Sequence, residues 1–336
     1  MVRFEEYLKD NLVLLDGAMG SLIYEKGVFI DKCYDELNLS RPDLIASIHE
    51  VYVSAGARVI ETNTYGANRF KLKSHNLLDQ MEEINRTGVA LARDAAGDEV
   101  YVAGSMGPSG LEIEPWGDTS LDEVFDGYAE QARILNQAGV DLFILETFQD
   151  IREMEQAIKA IKSISGLPVI AMMTLGEDGK TRYGVDLEDV TAVLSESEAS
   201  VIGLNCTVGP KPMLDFLEQM GKMTDKPLCL MPNAGRPQYT DGRMIYMSTP
   251  EYFSVYTKRF IERGAQVLGG CCGTTPEHLA KMAHALAMKQ TRIQHSINNG
   301  VKPVSEEPLP DPVPVEEKSK LSAKIQSGKQ VVLVEM

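Results

Sequence analysis

Val267-Leu268-Gly269-Gly270-Cys271-Cys272-Gly273 is a short apolar run that ends in two adjacent cysteines set among glycines. Successive side chains on a strand point to opposite faces, so Cys271 and Cys272 can turn toward one point only where the strand has stopped. The flanking glycines permit that bend. A third thiol, Cys206, ends another apolar run, Val201-Ile202-Gly203-Leu204-Asn205-Cys206. Three thiols at the ends of two strands read as a zinc site with an open fourth position. The competing reading, a buried cysteine acting as a small hydrophobe, fits the isolated Cys229.

Outward from this stretch, short apolar runs recur at residues 12–16, 59–64, 100–104, 142–147, 168–175, 201–206, 227–233 and 267–271. Between them lie segments such as Met213, Leu217 and Met220, or Leu279, Met282, Ala283 and Leu286, whose spacing puts the apolar residues on one helix face. Thr275 before Pro276 and Glu277 reads as a helix start, as does Ser40 before Pro42. Buried strands alternating with amphipathic helices indicate a parallel sheet. Eight such units predict a closed (β/α)8 TIM barrel in the α/β class. The alternative is a doubly wound sheet, but Asp16-Gly17-Ala18-Met19-Gly20 lacks the dinucleotide fingerprint spacing. In a barrel, active-site residues come from the carboxyl ends of strands. Asp16 ends the first run, Glu61 and Asn63 lie in the second, Glu146 ends the fourth and Asn205 and Cys206 the sixth. Asn233 ends the seventh run, and Cys271 and Cys272 the eighth. One strand separates the sixth from the eighth, so their ends can approach a common metal.

A chain of 336 residues, 43% hydrophobic, holds one barrel of about 250 residues with chain to spare. A net charge of -16 disfavours nonspecific binding to nucleic acid or to an anionic membrane. The first residues are mixed and charged, without the apolar core of a signal peptide, and no apolar run approaches the ~20 residues of a membrane span. Five cysteines, an odd number, argue for reduced thiols and a cytoplasmic setting. Residues 1–290 are expected to form the barrel. Pro303, Pro308, Pro310, Pro312 and Pro314 among acidic residues mark 291–318 as a semi-rigid linker. Residues 319–336 read as the start of a second domain in a longer polypeptide, because a strand without partners cannot stand alone.

Soft thiolates bind Zn(II) at roughly 2.3 Å, and three protein ligands leave a place for water or substrate. A structural zinc would normally use four, but Cys33 lies in the first loop and His278 on the helix after the pair. A redox dithiol would show Cys-x-x-Cys spacing, which the adjacent pair lacks. Zinc bound by three thiolates is a poor Lewis acid for water, yet it can hold a substrate thiol as a reactive thiolate. The residues therefore point to alkyl transfer to sulfur.

LLDGAMGS from Leu14, ETNTYGAN from Glu61, GSMGPSG from Gly104, LETF from Leu145, GLNCTVGP from Gly203, PNAG from Pro232 and GGCCGTTPEHL from Gly269 together resemble the homocysteine S-methyltransferase family. That family includes the homocysteine domain of cobalamin-dependent methionine synthase and betaine-homocysteine methyltransferase. The resemblance implies a zinc held by Cys206, Cys271 and Cys272 that binds the homocysteine sulfur. It also implies that Glu146 and Asp16 meet the substrate ammonium, while backbone N–H groups of Ala18 and Met19, beside Gly17, meet its carboxylate. Asp16 reads as functional from its place at a barrel strand end, with a turn or helix cap before Gly17 as the lesser alternative. Glu146, after a buried run, needs a cationic partner. Glu61, Asn63 and Asn205 read either as substrate contacts or as loop-orienting groups. Asn233 reads as a turn former and Trp116 as a lid or loop packing. Residues 318–335 are similar to the opening of a methylenetetrahydrofolate reductase domain, as in bifunctional bacterial proteins. The methyl donor is left open among methylcobalamin, a methylfolate, S-methylmethionine and betaine. From another class comes a noncatalytic homocysteine or zinc-thiol sensor that regulates a downstream domain.

Overall fold

The computed structural model describes residues 1–29, 31–240 and 243–298. Met1–Gln290 is one compact unit. Its strands are β1 Val13–Leu14, β2 Val59–Glu61, β3 Tyr101–Met106, β4 Leu142–Phe148, β5 Val169–Met173, β6 Val201–Asn205, β7 Leu228–Met231 and β8 Ala265–Leu268. All eight run parallel in the order β1-β8-β7-β6-β5-β4-β3-β2, a nearly closed (β/α)8 barrel. Each overlaps one of the eight apolar runs, although β8 starts two residues early, at Ala265, β3 and β4 run on to Met106 and Phe148, and β1 keeps only two residues.

The barrel closes without a regular β1–β2 ladder. Arg58 N–H donates to the Leu14 carbonyl at 2.8 Å, and Glu61 N–H donates to Asp16 Oδ2 at 2.9 Å. A side-chain carboxylate thus takes the place of a ladder carbonyl at the seam, immediately below the strand-end loops. Val13, Leu15, Leu142, Ile144, Ile170, Met172, Cys229, Met231 and Val267 share one apolar cluster, as expected when alternate residues of tilted strands fill a barrel interior. Phe4 and Leu8 of the helix Phe4–Asp10 join that cluster. Alternate residues such as Phe143 and Leu145 face the other way, into the layer shared with the helices. Cys229 is fully buried with its thiol 3.5 Å from Met172 Sδ, so the small-hydrophobe reading holds for it.

The helix Pro276–Asn298 begins where Thr275-Pro276-Glu277 predicts. His278 Nδ1 accepts Thr275 N–H at 3.2 Å, a capping-box arrangement with histidine in the usual glutamate place. Ser40 is not the cap of Pro42–Ser54. It closes the short helix Leu37–Ser40, its hydroxyl is taken by Glu36, and Arg41 occupies the cap position. The helix begun at Pro276 reaches into the stretch read as linker, whose first proline comes only at Pro303. The remainder of that linker and the expected second domain lie outside the described residues. No helix among the described residues is long and apolar enough to cross a membrane.

Candidate active site

β8 stops at Leu268, and the chain then makes a close passage under β1. A Cβ on Gly269 would stand 2.9 Å from Leu15 Cβ and 3.1 Å from the Asp16 carbonyl, while one on Gly270 would meet Thr274 Oγ1 at 2.5 Å. Gly270 N–H bonds the Asp16 carbonyl at 3.1 Å, so the glycines allow the backbone approach that joins the last loop to the first. Cys271 N–H donates to the Pro232 carbonyl at 2.9 Å, and Thr274 N–H closes the turn on the Cys271 carbonyl at 3.1 Å. Facing this turn, Cys206 and Thr207 adopt φ of 61° and 60°. Left-handed backbone costs a non-glycine residue roughly 1–2 kcal/mol. The strain aims Cys206 inward while its N–H still reaches the Met231 carbonyl at 3.1 Å.

The sulfurs of Cys206, Cys271 and Cys272 lie within 4.8 Å of one another, with Cys206 and Cys272 3.8 Å apart. Sulfurs bound tetrahedrally at about 2.3 Å are about 3.8 Å apart, so the donor set fits a zinc ion. Asn233 adds to the fit. Its side chain hydrogen-bonds Cys206, and its Oδ1 is buried with no partner among the described residues, an oxygen donor suited to a cation. The turn-former reading of Asn233 therefore misses its place beside the thiols. Hydrogen bonds from Cys271 and Cys272 hold the Cys206 thiol far below its ordinary range, whereas the same contacts push the Cys271 and Cys272 thiols up. Burial, and next the Cys272 charge, push the Tyr246 phenol up, so it stays a neutral donor toward Cys272.

Three carboxyl groups, Asp16, Glu61 and Glu146, converge in the same cavity. Burial raises all three, and mutual repulsion adds to it for Glu61 and Asp16. Ser105 Oγ donates to Glu146 Oε1 at 2.6 Å, and Glu61 Oε1 is buried without a partner. Among the described residues no lysine or arginine lines the cavity, and the one positive charge that acts on Glu146, Lys71 over the Tyr65 ring, is shared with Asp35 and Glu153. A cationic ligand would supply the missing charge.

Asp16, Gly17, Ala18, Met19, Glu61, Asn63, Glu146, Cys206, Cys271 and Cys272 all line one cavity of about 840 Å³. Three expected roles change. Ala18 N–H is taken by Thr274 Oγ1 at 3.1 Å, leaving Met19, which opens the helix Met19–Glu25 and has no intrahelical acceptor for its N–H. Asn63 spends its amide on the Tyr34 carbonyl at 2.7 Å and Asn38 Oδ1 at 3.0 Å, which makes it a loop holder. Asn205 is buried behind the wall and bonds Thr147. Trp116 is exposed and stands off the cavity. Ser105 and Thr147 were missed, although both are polar residues at the carboxyl end of a buried strand, the signal that singled out Glu146. Tyr246 follows the antiparallel pair Gln238–Thr240 and Arg243–Ile245, which no apolar run announces.

Residues 13–286 match the homocysteine S-methyltransferase family. The chain is 33% identical over 301 residues to the methionine synthase of Mycobacterium leprae, covering 84% of this chain and 25% of that protein. It is 32% identical over 301 residues to the Mycobacterium tuberculosis methionine synthase, with the same coverage. It spans about a quarter of the length of these relatives. Among solved structures, the metallated form of the Escherichia coli homocysteine methyltransferase MmuM superposes with a TM-score of 0.70 at 24% identity, covering 84% of this chain and 98% of that one, a likeness of fold. The oxidized form of the same protein gives a TM-score of 0.69 at 25% identity, covering 81% and 95%.

Proposed function

Since the chain belongs to the homocysteine S-methyltransferase family, we propose that it moves a methyl group from a donor to the thiol of homocysteine, yielding methionine. The observation that carries this reading is the convergence in one cavity of three clustered thiols and three buried carboxyls. An α-amino acid with a terminal thiol presents complementary groups: an ammonium for the carboxyls and a sulfur for the thiol cluster.

Cys206, Cys271 and Cys272 would hold a zinc ion, which when bound keeps the substrate sulfur as a nucleophilic thiolate at neutral pH. Glu146, fixed by Ser105, and Asp16, fixed by the Glu61 amide, take the substrate ammonium, with Glu61 beside them. The ammonium offsets the repulsion that raises these carboxyls in the free protein. Met19 N–H, at the positive end of its helix, faces the substrate carboxylate. Tyr246 and Tyr65 line the wall near the sulfur and limit the water around it. In the overall transfer the sulfur gains a C–S bond, the donor retains the electrons of the broken bond, and the thiol proton leaves to solvent.

At about 840 Å³ the cavity lies at the upper end of the range for sites that engulf drug-sized ligands, so it admits the reacting end of a donor beside the amino acid. The donor is the variable half of the reaction. Five free cysteines suit a reducing compartment, and we assign the cytoplasm. The domain boundary near residue 290 and a reductase-like domain after it belong to the same proposal. The test is methionine formation from homocysteine with methylcobalamin, methylfolate, S-methylmethionine and betaine in parallel. Turnover with one donor supports the reading. Homocysteine binding with no turnover on any donor would favour a noncatalytic sensor.

A further inference from the structure

Asn205, the last residue of β6, is 0% exposed and lies behind the cavity lining. Its Oδ1 accepts Thr147 N–H at 2.7 Å, and its Nδ2 donates to Thr147 Oγ1 at 2.8 Å and reaches Cys271 Sγ at 3.9 Å. Thr147 follows Glu146 where β4 slips register against β5, and its φ is 63°. A β-branched residue is strongly disfavoured in that conformation, so the corner would relax unless held. Asn205 holds it with two bonds. Through the same carboxamide it contacts a thiol of the proposed metal set.

We infer that Asn205 is a positioning residue that fixes the separation between Glu146 and the thiol cluster, and so selects homocysteine over cysteine, which is one methylene shorter. The inference rests on the homocysteine reading above. A substrate gripped by its ammonium at the carboxyls and its sulfur at the thiols must span a set distance. A rigid frame rejects a chain that is too short; a loosened one adapts to it. Ser105 restrains the Glu146 carboxyl through a bond that does not involve the thiols, so its contact fixes a rotamer rather than the span. Aspartate is not equivalent to Asn205 in this role. It would keep an acceptor for Thr147 N–H and could accept the Thr147 hydroxyl, but it loses the N–H that reaches Cys271 Sγ and sets a negative charge beside the thiols.

The test is calorimetric titration of homocysteine and of cysteine into zinc-loaded wild type, Asn205→Ala and Asn205→Asp, with thermal melts run alongside. The wild type should prefer homocysteine. In both variants homocysteine binding should weaken about tenfold or more, and the preference over cysteine should shrink by a similar factor. A purely structural residue would lower the melting temperature and leave the preference unchanged, and that result would overturn the inference. If Asn205→Ala does not fold, the isosteric Asn205→Asp decides alone. Absence of homocysteine binding by the wild type would remove the functional reading and this inference together. An unchanged preference in variants of a wild type that does bind would remove only the role of Asn205.

Discussion

Replacing Glu146 by glutamine separates the charge of this carboxyl from its shape. The amide keeps an oxygen for Ser105 Oγ, which now donates to Glu146 Oε1 at 2.6 Å, so the side chain should stay in place. What disappears is the negative charge offered to the substrate ammonium. A hydrogen bond to a charged group contributes about 1.5–3 kcal/mol, so Glu146→Gln should weaken homocysteine binding about 10- to 150-fold. Stability should move the other way. Glu146 adds to the charge that raises Asp16 and Glu61, and its removal relieves repulsion among buried groups. For a unit of this size each kcal/mol relieved raises the melting temperature by about 2 °C. The pH dependence follows in sign. Carboxyls with raised folded pKa values contribute stability below the ordinary carboxylate range and lose it as pH rises through the raised values, so the variant's melting temperature should depend less on pH than the wild type's. Calorimetric titration and thermal melts on the two proteins give both numbers. Homocysteine affinity within twofold of wild type, or a variant that melts several degrees lower, would show that Glu146 is a structural partner and refute the ammonium assignment.

Alanine at Cys206, Cys271 or Cys272 should abolish stoichiometric zinc, while Cys33→Ala and Cys229→Ala should retain it, as read by metal analysis of purified protein. His49 is fully buried, has no hydrogen-bond partner for either ring nitrogen among the described residues, and is lowered to about 4 by burial. The unfolded chain therefore takes up its proton first, and stability should fall by about 2 kcal/mol between pH 7 and pH 5 in urea unfolding, a loss that His49→Leu should remove. A chain lacking residues 301–336 should unfold at the same temperature as the full chain, and a clear drop would place the domain boundary elsewhere.

The barrel was legible because strands buried on both faces read as apolar runs, and such runs need no knowledge of partners. Its closure was not legible: that Asp16 bridges to the Glu61 amide depends on two segments meeting across the seam. The thiols could be identified because adjacent cysteines after a strand have few structural uses. The asparagines could not be sorted, since an amide is equally able to hold a loop or a ligand. Only the fold showed that Asn63 meets Asn38, Asn205 meets Thr147 and Asn233 meets Cys206. The partner of the Ala18 N–H was hidden for a similar reason. That N–H sits in the right loop, but Thr274, far along the chain, reaches it first.

X-ray absorption at the zinc edge tests the central claim most directly. With Cys206, Cys271 and Cys272 as the thiol set, the protein should show three sulfurs and one light atom without substrate and four sulfurs once homocysteine is added. Four sulfurs in the substrate-free protein, or three that do not change on saturation with homocysteine, would contradict it.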